Sequence, residues 1–133
     1  MKNSIIVVLC LMTCQCYSQS ESIKQETMNK YLLQGKFTAQ TGMADELAGI
    51  LIEAAHLVST AQGCQLYIVS RDPEETNVVY VTEIWDTKED HDNSLQINGV
   101  RNLIMKAMPM IDGRPEKGQE LEILGGIGIG PQK

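Results

Sequence analysis

Apolar residues alternate with polar ones in some stretches of this chain and recur at three- and four-residue steps in others. Between residues 30 and 40, Tyr31, Leu33, Phe37 and Ala39 share one parity, and Gln34, Lys36, Thr38 and Gln40 share the other. That alternation predicts a half-buried strand, and Thr41-Gly42 breaks it. Over residues 43–60 the stripe Met43, Leu47, Ile50, Leu51, Ala54 and Val58 predicts an amphipathic helix, with Asp45, Glu46, Glu53 and His56 away from the stripe. Its first-turn acids suit the positive end of the helix dipole, and Gln62-Gly63 ends it. Residues 64–71 and 78–85 read as strands joined by a Pro-containing hairpin connection, so they pair antiparallel.

A helix start follows the third strand at once. Thr87 with Asp90 three residues on, or Asp86 with Glu89, supplies an N-cap for a short helix to about residue 96. Asn98-Gly99 reads as a turn. Val100, Leu103, Ile104, Ala107 and Met108 form a further helical stripe, stopped by Pro109 and Gly113. Residues 119–127 read as the last strand. The order is β-α-β-β-α-β, the ferredoxin-like α+β arrangement: a four-stranded antiparallel sheet with helices on one face. The third strand is apolar on both parities, so both its faces need cover. Strand register decides whether Tyr67, Val69, Val78 and Tyr80, or Val79, Val81 and Trp85, face away from the helices. The simplest cover for the face without helices is a second copy of the chain, packed sheet to sheet as a homodimer.

Composition narrows the picture. A chain of 133 residues holds one domain. Residues 1–18 read as a secretory signal peptide, with Lys2 as the charged start, an apolar run over residues 5–13 and cleavage near Ser18. That run is too short for a stable membrane span. The expected destination is therefore export, periplasmic or secreted. A lipoprotein anchored through Cys14 ranks second, because Thr13 is a poor residue before the modified cysteine. Cleavage removes Cys10, Cys14 and Cys16 and leaves Cys64 alone, so packing and no internal disulfide would hold the core. Cys64 lies in an apolar alternating run and reads as a buried thiol. Residues 19–29 read as a flexible lead-in, 30–128 as the domain and 129–133 as a flexible tail. Loss of Lys2 takes the formal charge from −6 to −7, and no basic stripe is visible, so nucleic acid is not an expected partner.

Other chemistries lack their residues. No His and Cys set has zinc spacing, so no metal site is expected. The glycines at 125, 126, 128 and 130 precede no helix that would bind a pyrophosphate, and no Ser-centred hydrolase elbow is present.

The ordered set of short pieces resembles the antibiotic biosynthesis monooxygenase (ABM) domain of the dimeric α+β barrel superfamily. The pieces are Gly35-Lys36-Phe37, Gly42-Met43-Ala44, Gly63-Cys64 before Tyr67, and Glu83-Ile84-Trp85. They continue through His91 between Asp86 and Leu95, then Val100-Arg101-Asn102-Leu103-Ile104, Ala107-Met108-Pro109 and Gly125-Gly126-Ile127-Gly128. The resemblance implies a small homodimer. It also implies cofactor-independent oxygenation, with neither metal nor flavin, of a quinol or polyphenolic aromatic by O2. A non-catalytic dimeric domain that binds an apolar small molecule is the alternative. Haem degradation ranks lower, because that branch uses an Asn on the first strand and residues 30–40 contain none.

Phenol oxygenation needs a dry pocket, a base and groups that hold an anion. His91 is the candidate base, since histidine titrates near neutrality. Trp85 is the candidate pocket wall for an aromatic ring. Tyr67 and Tyr80 are candidate donors to an oxyanion, Arg101 a partner for a phenolate, and Glu83 shares the parity of Trp85. Asn93 and Ser94 resemble family positions near the pocket. Each also has a plain reading: Trp85 as core, His91 and Arg101 as surface residues, Glu83 as a cross-strand ion-pair partner.

Overall fold

A computed structural model describes residues 29–129. The expected leader, the lead-in up to residue 28 and the tail beyond residue 129 lie outside the described residues. The elements are β1 (Tyr31–Thr38), α1 (Ala44–Val58), β2 (Cys64–Arg71), β3 (Val78–Trp85), α2 (Lys88–Ser94), α3 (Asn98–Ala107), a 3-10 turn (Met108–Met110) and β4 (Gln119–Leu121). The sheet order is β2-β3-β1-β4, and every pairing is antiparallel. This is the ferredoxin-like α+β architecture that the hydrophobic pattern predicts. The sheet is open.

Register sorts the side chains onto two faces, because neighbours along a strand point oppositely. Tyr31 pairs with Trp85, Leu33 with Glu83, and Phe37 with Val79. Tyr67 pairs with Glu83 and Val69 with Val81. These residues share the helix-facing side, where Val79 joins Leu47, Ile50 and Ala54 of α1 and Leu103 and Ala107 of α3 in one core. A second cluster gathers Val58, Trp85 and Val100, with Tyr31 and Tyr67 against it. The other face carries Leu32, Leu66, Ile68, Tyr80, Ile84 and Leu121. Tyr67 and Val69 therefore do not share a face with Val78 and Tyr80, as one sequence register allowed. A bulge between Cys64 and Leu66 sets the phase of β2.

Two boundaries differ from the sequence reading. Asn98-Gly99 opens α3 instead of forming a separate turn, with Ile97 as its extended N-cap. The last strand pairs only over Gln119–Leu121, because three residues of β1 complete its ladder.

The junction of β3 with α2 is held from two sides. The Asp90 backbone N–H donates to Thr87 Oγ1 at 3.1 Å, and Thr87 Oγ1 donates to Asp90 Oδ2 at 2.7 Å. Thr87, not Asp86, is thus the cap. Asp86 instead accepts from Lys30 at 2.6 Å and Gln65 at 3.0 Å, while its backbone N–H donates to the Gly63 carbonyl at 2.7 Å. Gly63 has φ +75°, and a Cβ there would stand 2.5 Å from Asp90 Oδ2. No other residue fits without displacing the Asp90 side chain that accepts from the Thr87 cap.

Candidate active site

Between the helix-facing side of the sheet and helices α1, α2 and α3 lies a cavity of about 280 Å³. Most of its wall is aliphatic: Leu33, Ile50, Leu51, Val58, Leu103, Ile104 and Ile111 among others, with Phe37, Met108 and Pro115. The polar exceptions are Tyr67, Glu83, His91 and Ser94. Register explains their convergence. Tyr67 and Glu83 are cross-strand partners, and the capped first turn of α2 swings His91 over the end of β3. Neither lysine nor arginine lines this cavity.

Glu83 is the centre of the polar group. Its Oε2 accepts the Trp85 indole N–H at 2.9 Å and lies 3.9 Å from His91 Nε2. Burial pushes its carboxyl above the usual range, against the opposing pull of the Trp85 donor and His91. Tyr67 is held well above the usual phenol range by burial first, then by Glu83 and Cys64. At neutral pH its hydroxyl is therefore a neutral donor. The Cys64 thiol is pushed up by burial and by Glu83, which suits an inert side chain. His91 is itself buried, with 8% of its surface exposed. Its ring centroid stands 5.4 Å from that of Tyr31 and 5.9 Å from that of Trp85. Its backbone carbonyl accepts the Ser94 hydroxyl at 2.7 Å.

The sequence candidates divide accordingly. His91, Glu83 and Tyr67 meet at the cavity. Trp85 is fully buried behind it: it braces Glu83 and does not form the wall. Tyr80 points to the opposite sheet face, paired with Lys36 and Ser70. Asn93 borders a separate shallow depression with Asp90 and Ile97. Arg101 is exposed on α3 and stands off the cavity. Sequence reasoning passed over Tyr31 and Asp92, which flank the His91 ring. The adjacency of Asp92 to His91 was the only available signal. Among the described residues, no group of three His, Cys, Asp or Glu side chains is placed to hold a metal ion.

Comparison with known proteins adds the family. The sequence model of the antibiotic biosynthesis monooxygenase family matches residues 31–104. The chain belongs to this family. The matched region runs from β1 into α3 and holds most of the cavity lining, with Ala107, Met108, Ile111 and Pro115 beyond it. A crystal structure from Chloroflexus aurantiacus J-10-fl is 37% identical, covers 76% of this chain and 99% of its own, and superposes with a TM-score of 0.67. Its own assignment as an antibiotic biosynthesis monooxygenase is provisional. A similarly assigned protein from Nitrosomonas europaea shares the fold at 9% identity, with a TM-score of 0.68 over 72% of this chain and 91% of its own. A Bacteroides thetaiotaomicron VPI-5482 protein of unknown function, described as a possible oxidoreductase, shares the fold at 12% identity and a TM-score of 0.64, over 71% and 98% of the two chains. No curated protein matches.

Proposed function

We propose that this ABM-domain protein is a cofactor-independent monooxygenase that oxidises a quinol or polyphenolic aromatic with O2. The observation that carries the reading is a polar pole of Tyr67, Glu83 and His91 in a cavity whose lining is apolar apart from these and Ser94. An aromatic body would lie among Phe37, Leu51, Ile104 and Met108, with a hydroxyl at the pole. Apolar walls keep out water that would otherwise solvate the phenolate.

In this mechanism His91 Nε2 takes the phenol proton. The resulting hydroquinone anion passes one electron to O2, and the radical pair recombines to form a carbon–oxygen bond. His91 returns its proton to the peroxide, and Tyr67 donates to the oxygen carrying the charge. The O–O bond breaks with loss of water. For 1,4-naphthohydroquinone, C10H8O2 and O2 give C10H6O3 and H2O. The hydroquinone supplies all the electrons. Trp85 acts through Glu83, and Arg101, Tyr80 and Asn93 have no direct part.

A homodimer belongs to the same reading. Members of the ABM family are generally dimeric, and Ile68 and Leu121 on the helix-free face are 48% and 46% exposed. A second copy packed there would cover them. Export through the leader at residues 1–18 remains part of the proposal, and no described helix is long and apolar enough to cross a membrane.

One observation favours the alternative of a binding domain: the cavity lacks a cationic side chain to hold a phenolate. Oxygen uptake by chelator-treated protein with 1,4-naphthohydroquinone, corrected for autoxidation, separates the two. Protein-dependent uptake supports the oxygenase. Thermal stabilisation by 2-naphthol without uptake of oxygen by any quinol tried supports the binding domain.

A further inference from the structure

The two ring nitrogens of His91 face two different carboxylates. On the cavity side, Nε2 lies 3.9 Å from Glu83 Oε2, beyond hydrogen-bond reach. That oxygen already accepts the Trp85 indole N–H at 2.9 Å. On the outer side, Nδ1 lies 2.9 Å from Asp92 Oδ1. The other oxygen of Asp92 accepts from Lys88 Nζ at 2.6 Å. Contact with Lys88 and then His91 holds the Asp92 carboxyl below the usual range, so this group is an acceptor at neutral pH. A neutral imidazole has one N–H, and the hydrogen bond at one nitrogen decides which atom carries it. Remaining neighbours do not compete for the ring nitrogens: Tyr31 and Trp85 present ring contacts, and the Ser94 hydroxyl donates to the backbone carbonyl.

We propose that Asp92, steadied by Lys88, is a positioning residue that fixes neutral His91 as its Nδ1–H tautomer and leaves Nε2 bare towards the cavity. The inference rests on the reading of His91 as the base. Asp92 lies outside the cavity and acts only through His91. Free histidine favours the Nε2–H tautomer, which would turn a donor, not an acceptor, towards a phenol. Lys88 contributes by holding the Asp92 carboxylate in place one helical turn away. Around the ring stand Glu83 and Tyr31 on the sheet side, with Glu120 of β4 beside Tyr31, and Asp92, with Lys88 behind it, on α2.

The test is 15N NMR of histidine-labelled protein across the pH range, with His56 as the internal reference and His91→Gln to assign the signals. Neutral His91 should show the Nδ1–H pattern. Asp92→Ala should move it towards Nε2–H, whereas Asp92→Asn, whose amide oxygen still accepts, should retain it. With 1,4-naphthohydroquinone, Asp92→Ala should lower kcat about tenfold with little change in KM. That is the low end of what loss of a histidine-orienting partner costs in metal sites, as suits an exposed carboxylate. Asp92→Asn should recover most of the rate. An Nε2–H pattern in the unaltered protein, or no change in Asp92→Ala, overturns the proposal. A tautomer shift in Asp92→Ala without oxygen uptake by any form supports the role of Asp92 and overturns the oxygenase reading instead.

Discussion

Glu83 carries a cost that the rest of the site explains. A carboxyl buried beside an apolar cavity is easier to bury protonated, and its folded-state value is accordingly raised above 4.5. Below about 4.5 it is protonated both folded and unfolded, and the stability it contributes is fully present. As pH rises through the raised folded value, that contribution is lost. Glu83→Gln should therefore flatten the fall in thermal midpoint above pH 4.5, read by calorimetry at intervals to pH 8. An equal fall in both proteins would contradict this assignment. His91→Ala should lower oxygen uptake by at least about a hundredfold, the smaller end of what a positioned base supplies. Sequence parity placed Glu83 and Trp85 on one face, and the structure keeps them there. Depth was not legible. Parity cannot distinguish a Trp at a cavity wall from one packed beneath it on Val58 and Val100.

At the scale of elements, the site depends on the start of α2. Seven residues are too few for a helix to persist by propensity, so its cap and packing hold it. Thr87→Ala should cost about 1 kcal/mol in urea unfolding, the usual worth of a side-chain N-cap. Gly63→Ala should cost more, about 1–3 kcal/mol, from a forced positive φ together with the clash at Asp90. A Gly63→Ala protein of unaltered stability would show that this junction is looser than its geometry. The Thr87 cap was legible as one of two registers, because the Thr and Asp stand three residues apart. The bulge in β2 and the short β4 were not legible. Both depend on pairing partners that lie distant in sequence, which alternation within one segment does not encode.

For the whole molecule, the order of elements readable from periodicity was enough to define a four-stranded sheet with helices on one face, whereas which residues the helices cover waited on strand register. The proposed homodimer would cover the second face. Light scattering of residues 19–133 should give the mass of a dimer at micromolar concentration, and Ile68→Asp should reduce it towards the monomer by placing a charge in the packed face. The chemistry is tested most directly by reacting metal-depleted protein with 1,4-naphthohydroquinone under 18O2. The product should be a hydroxynaphthoquinone carrying one 18O atom, with the second atom in water and no accumulation of hydrogen peroxide. Unlabelled naphthoquinone with an equivalent of hydrogen peroxide, or no protein-dependent product, would contradict the monooxygenase account.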